Sequence, residues 1–110
     1  MIEALNILKG FNMKIFSEDG LCFIDMEYAL TINETEALKK ELTPIIATDH
    51  EFVVHCIDLK EIDSAGLQML ISLKKQLLKE GKKFEITVGV KFKHLSSFFM
   101  LDEYFAGDIV

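Results

Sequence analysis

Two stretches and the segment between them constrain the fold of this chain more than anything else in it. Phe52-Val53-Val54-His55-Cys56-Ile57-Asp58-Leu59 is almost continuously apolar and rich in β-branched residues, whereas Phe84-Glu85-Ile86-Thr87-Val88-Gly89-Val90 alternates apolar with polar. Between them, residues 64–79 carry apolar side chains at helical spacing. The first run suits a central strand covered on both faces. The second has period two and a polar side that meets solvent or a partner, so it belongs nearer the sheet's margin. Strand, crossover helix and strand make a βαβ unit, with parallel strands and a right-handed crossover.

On the intervening helix, expected from Ser64 to Lys79, Gly66, Leu70, Leu73 and Leu77 share one stripe, with Leu67, Ile71 and Leu78 beside it. That stripe should face the sheet. Gln68, Ser72, Lys75, Gln76 and Lys79 point away, and Met69 lies off the stripe's centre, on the side of Ala65 and Gln76. An off-stripe thioether suits either an adaptable protein contact or the edge of the core. Gly81 supplies the glycine that closes such a helix.

Upstream, Met13–Phe16 and Leu21–Met26 flank Ser17-Glu18-Asp19-Gly20, whose Asp-Gly step signals a hairpin. Asn33 offers a cap for a further helix, with Glu36 three residues on as its capping-box partner. Leu38, Leu42 and Ile45 or Ile46 continue that helix, which Pro44 should end or kink near Thr43. Downstream, Phe92, Leu95, Phe98 and Phe99 form an amphipathic stretch expected to pack on the sheet, and Leu101 to Phe105 closes the chain. The reading is an α/β fold, a four- or five-stranded mixed sheet with two or three helices packed mainly on one side.

The 110 residues are half apolar, which suits one domain spanning 1–110 with its core at about 13–105. A formal net charge of −6 disfavours nucleic acid as a partner, since duplex binding draws on Lys and Arg. No apolar run reaches the roughly 20 residues that span a bilayer, and Met1 to Asn12 does not read as a signal peptide. No membrane insertion and a cytoplasmic location are therefore expected. Cys22 and Cys56 are far apart with no CxxC, and read as buried thiols. His50, His55 and His94 are scattered rather than spaced as metal ligands, so core or strand roles are expected.

The segment Asp58-Leu59-Lys60-Glu61-Ile62-Asp63-Ser64-Ala65-Gly66 joins the central strand to its helix. Two readings apply. In the simpler, Asp63 or Ser64 caps the helix and Gly66 permits close packing on the sheet. In the sharper, the Ser64 hydroxyl stands at an exposed helix N-terminus that tolerates a phosphate, which adds about −1.5 to −2 charges beside Glu61 and Asp63. Such a phosphate would alter an interface without unfolding the domain.

The run from Cys56 through Asp58, Asp63-Ser64-Ala65-Gly66-Leu67 and Gln68-Met69-Leu70, with Gly81-Lys82-Lys83-Phe84 and Leu101-Asp102-Glu103-Tyr104-Phe105, resembles the STAS family, the sulphate transporter and anti-sigma factor antagonist domains. The resemblance spans roughly Met13 to Phe105. It implies an anti-sigma factor antagonist that binds a serine kinase acting as anti-sigma factor, is phosphorylated at Ser64, and is restored by a phosphatase. The free kinase then recaptures its sigma factor, so transcription is regulated by partner switching. It further implies that Asp58 shapes the phosphoacceptor loop, and that Asp63, Ser64, Ala65, Gln68 and Met69 face the partner.

This chain has Tyr28-Ala29-Leu30-Thr31 where spore-type antagonists commonly read Gly-x-Leu-Asp, so that glycine and that acid are absent. Leu30-Thr31-Ile32 with Gly66-Leu67-Gln68 looks closer to STAS domains of chemotaxis gene clusters or lipid-transport complexes. Those imply an alternative role as a docking subunit. No GxxxxGK[ST] or kinase-type glycine loop is present, and no nucleotide or other cofactor is expected. Ser64 lacks a GxSxG elbow, and Asp58 lacks the early acidic pair of a cation-assisted phosphoacceptor, so no enzymatic activity is expected. The alternating last strand and exposed helix edge permit a homodimer.

Overall fold

The computed structural model describes the backbone of residues 4–8 and 13 and the whole of residues 14–109. Five strands form one mixed sheet: β1 (Ala4–Leu8), β2 (Met13–Glu18), β3 (Leu21–Met26), β5 (Glu51–Cys56) and β7 (Lys83–Val88), side by side in the order β1-β2-β3-β5-β7. A second, two-stranded ladder joins β4 (Ala29–Leu30) to β6 (Glu61–Ile62). The helices are α1 (Ile32–Ile46), α2 (Ser64–Lys79), α3 (Val90–Phe98) and α4 (Asp102–Phe105).

The hairpin forms as its sequence dictates. Glu18 pairs with Leu21, leaving Asp19 and Gly20 as a two-residue turn with φ of 49° and 81°, the paired left-handed conformation that matches strand twist. β3 then pairs in parallel with β5, and β5 with β7, so β5 is central and β7 lies outside it. The outer side of β7 is partly met by the chain's last turn, where the Ile86 N–H donates to the Asp108 carbonyl at 2.8 Å.

β5 is central but covered on one face only. Ile15, Cys22, Ile24, Met26, Phe52, Val54, Cys56, Phe84, Ile86 and Val88 are buried on the helix side, while Val53 and His55 on the other face are half-buried. With β2, β3, β5 and β7 each contributing alternate residues to one core, the apolar run in β5 is richer than its single buried face requires. Burial pushes both thiols, at Cys22 and Cys56, up to about 12. His50 and His94 are exposed, and only His55 lies in a strand.

α1 differs from its sequence reading at both ends. It starts two residues earlier, capped by Thr31 with Glu34 rather than by Asn33 with Glu36, because Thr31 follows directly on β4. It also runs through Pro44 to Ile46. Pro44 sits exposed in the last turn.

α2 spans the expected residues and buries Gly66, Leu67, Leu70, Leu73 and Leu77. Leu78, grouped with that stripe by spacing, is exposed. Buried instead is Lys74, whose amine meets the Tyr104 carbonyl, the Asp108 carboxylate at 2.6 Å and the Tyr104 ring at 4.1 Å. This amine ties the C-terminal turn to the helix layer. Among the described residues no helix is long and apolar enough to cross a membrane.

Candidate functional site

The β4–β6 ladder places two helix starts side by side. Ala29 pairs with Glu61 and Leu30 with Ile62, so Thr31 and Asp63 each begin a helix from adjacent strand ends. The Tyr28 carbonyl accepts the Lys60 and Glu61 N–H groups at 2.8 and 3.0 Å, and its hydroxyl donates to Glu61 at 3.3 Å. The segment lacking the glycine is thus bound through its backbone and its Tyr28 hydroxyl.

At α1, Thr31 accepts the Asn33 N–H at 3.3 Å and Glu34 accepts the Thr31 N–H at 2.7 Å, a complete capping box. At α2, Asp63 is the cap. One of its oxygens accepts the Gly66 N–H at 2.9 Å, and the other accepts the Ile32 N–H of α1 at 3.0 Å. One carboxylate therefore satisfies donors at two helix N-termini, where its charge also opposes both dipoles favourably. Gly66 fits under this arrangement because a side chain would not: a Cβ there would stand 2.0 Å from the Leu30 carbonyl oxygen.

Because Asp63 does the capping, Ser64 is left as an exposed residue in the first turn, with no hydrogen bond to its hydroxyl among the described residues. Ser64 and Gln68 form one wall of a groove of about 220 Å³ that continues over Leu67 and Ile71 to Phe99 and Leu101. The far wall is unusual. Phe98 and Phe99 meet edge to face at 5.2 Å, and Phe98 and Met100 are 77% and 90% exposed.

α3 ends in the paired bonds of a Schellman motif, with the Met100 N–H donating to Ser97 at 3.0 Å and the Leu101 N–H to Ser96 at 2.8 Å. The left-handed position that this motif requires, filled by Gly81 at the end of α2, is filled here by Met100 at φ 59°. A side chain costs about 1 kcal/mol in that conformation. Phe98 and Phe99 thus do not pack on the sheet as their spacing suggested. The motif turns the chain so that Phe105 is fully buried in their stead.

The six sequence-derived partner residues divide. Ser64 and Gln68 share the groove, with Asp63 holding its helix start and Ala65 half-buried behind it. Met69 faces the other way, into a groove of about 430 Å³ between α2 and α1 lined by Leu42, Ile46 and Leu73. Asp58 lies exposed in a depression with Ile57, Lys60, Val90 and Lys91, which shares no lining residue with the Ser64 groove. Phe99, Met100 and Leu101 were missed. Their only signal was a run of three large apolar residues that a helical count places in the core. Among the described residues no three His, Cys, Asp or Glu side chains could together hold a metal ion.

The sequence of residues 22–101 matches the family described as Mlab, STAS domain. The chain belongs to the STAS domain family. The STAS fold seen here is shared with solved structures of low sequence identity. One is the Bacillus cell fate determinant SpoIIAA in its phosphorylated form, at TM-score 0.70 and 11% identity, covering 100% of this chain and 89% of that one. Another is an anti-sigma factor antagonist from Mycobacterium paratuberculosis, at TM-score 0.71 and 18% identity, covering 84% and 80%. A sulfate transporter family protein from Wolinella succinogenes aligns at TM-score 0.69 and 17% identity, covering 84% and 77%. A search of curated proteins returns no match.

Proposed function

We propose that this STAS domain is an anti-sigma factor antagonist-like regulatory protein of the cytoplasm, without catalytic activity, that docks on a cognate serine kinase through the Ser64 groove and is released by phosphorylation of Ser64. One observation carries the reading: an exposed helix-start serine shares a groove with Phe99 and Leu101, whose chain neighbours Phe98 and Met100 are themselves exposed. Exposed aromatic and thioether area does nothing for the isolated fold and suits a contact surface. That a similar fold has been solved in a phosphorylated form lends support.

The geometry gives the switch a physical basis. Two of the N–H groups at this pair of helix starts, those of Gly66 and Ile32, are already bonded to Asp63. A phosphate on the exposed Ser64 would stand on the groove's rim beside the Asp63 carboxylate, in water. Seating a partner over it would require stripping that water. A phosphatase restores the apolar contact.

Incubation with the kinase and ATP, followed by peptide mass spectrometry, should place one phosphate on Ser64, and Ser64→Asp should weaken kinase binding at least about tenfold. Met100→Gly should raise stability by about 1 kcal/mol in urea unfolding while weakening the same complex. Equal binding by wild type, Ser64→Asp and Met100→Gly would overturn the proposal.

The match to the Mlab family and the absence of an acid at Thr31 favour a second reading, a docking subunit of a chemotaxis or lipid-transport assembly that is not phosphorylated. There Ser64→Ala and Ser64→Asp are silent, and a charge at Gln68 or Met69 breaks the complex.

A further inference from the structure

All four helices pack against one face of the sheet, and the other face has its own organisation. Phe16 of β2 stacks on Phe23 of β3 at 4.9 Å and 20°, and Phe23 stacks on His55 of β5 at 6.0 Å and 19°. Val53 lies beside Phe23 in register, and Thr87 meets the His55 ring at 3.3 Å, so a half-buried aromatic band crosses three strands and reaches a fourth. Two ion pairs stand at opposite corners of this band, Lys14 with Glu27 and Lys83 with Glu51, each at 3.5 Å.

Among the described residues those pairs engage both lysines of the face, Lys14 and Lys83. Asp25 and Glu85, which flank the His55–Val53 strand on opposite sides, have no ion pair among the described residues. Lys14 is also the register partner of Asp25, and Lys83 stands two residues before Glu85 on the same face, so each lysine serves two carboxylates; among the described residues the face carries more carboxylates than lysines, and this decides what can cover it. A second copy would double that excess of carboxylates within one interface. An anionic bilayer surface would be repelled.

We propose that the open sheet face is a second docking surface, and that its occupant is a basic amphipathic helix. Asp25 and Glu85 stand two strands apart and two residues out of register, a diagonal of about 12 Å at ordinary strand spacing. Two cations seven residues apart on one side of a helix are separated by about 10.5 Å, and Lys or Arg stems span the remainder. Apolar residues three and four positions after the first cation fall between them, over Phe23 and Val53. Cations laid on the Phe16–Phe23 band also gain from its ring faces.

The test uses the full chain with a synthetic 18-residue amphipathic peptide carrying Lys at two positions seven apart and Leu at the third and fourth positions between them. Binding should shift the NMR signals of Phe16, Phe23 and His55. The Asp25→Asn, Glu85→Gln double variant, isosteric and on an open face, should weaken binding at least about tenfold with an unchanged circular dichroism spectrum. Glu41→Gln, which removes a carboxylate from the helix side, should leave affinity unchanged, and a peptide with Glu in place of both Lys should not bind. Equal affinity for the double variant, signal shifts confined to the helix side, or sedimentation of the chain alone as a dimer that shifts these same aromatic signals would overturn the proposal.

Discussion

The two helices that start side by side solve the same capping problem in different ways. α1 is closed locally, by Thr31 and Glu34 three residues apart in its own first turn. α2 is closed by Asp63, which at the same time reaches across to the first N–H of α1. A local cap stabilises one helix, whereas a shared cap also sets the position of one helix against the other. The shared solution leaves Ser64 with no structural duty, and a residue relieved of structural duty is available to a kinase or a partner.

This contrast can be broken most forcefully at the point where the two starts touch. Gly66→Ala forces a methyl group into the Leu30 carbonyl and should destabilise the fold by about 3 kcal/mol, despite the better helix propensity of alanine. Urea unfolding would show it, and a value near zero would mean that the two starts can separate freely. Asp63→Ala removes acceptors from two helices and should lose about 2 kcal/mol, with Asp63→Asn in between because the amide keeps one acceptor.

Thr31→Ala, which removes a single local cap, should lose about 1 kcal/mol. A larger loss at Thr31 than at Asp63 would reverse the comparison. Ser64→Ala should change stability by less than about 0.5 kcal/mol, measured as the same urea midpoint. A loss of 1 kcal/mol or more would make Ser64 a structural cap and undercut its role as a switch.

Helix ends repeat the lesson in another form. α2 and α3 close with the same bonding pattern, yet Gly81 fills the left-handed position at one end and Met100 at the other. The first was legible, because a glycine after a periodic run is what that geometry favours. The second was not, because nothing in Phe98-Phe99-Met100 marks a methionine in a glycine's conformation. A helical count therefore assigned Phe98 and Phe99 to the core. The reversal of the chain at Met100 places Phe105 there.

The strand–helix–strand unit, the Asp19-Gly20 hairpin and the Ser64–Lys79 helix were readable because each rests on local rules: period two, period 3.6, and turn chemistry. β1 was not read, because its pairing with β2 rather than any periodicity of its own makes it a strand. The Asn33 cap was misplaced by two residues, since the choice between neighbouring polar residues depends on where β4 delivers the chain. Lys74 was assigned to neither face of its helix, and only the distant Tyr104 and Asp108 make its burial tolerable.

By itself the sequence determined that this chain builds a mixed sheet with helices, that a helix begins next to Asp63 and Ser64, and which residues line the centre of its core. These follow from spacing along the chain, which the chain carries wherever it goes. Only the tertiary structure decided that Asp63 serves two helices, that Asp58 and Met69 lie away from the Ser64 groove, that Phe99 and Leu101 line it, and that the sheet keeps one face open. Each depends on residues about 30 or more positions apart in sequence meeting in space, and no local pattern records who those neighbours will be.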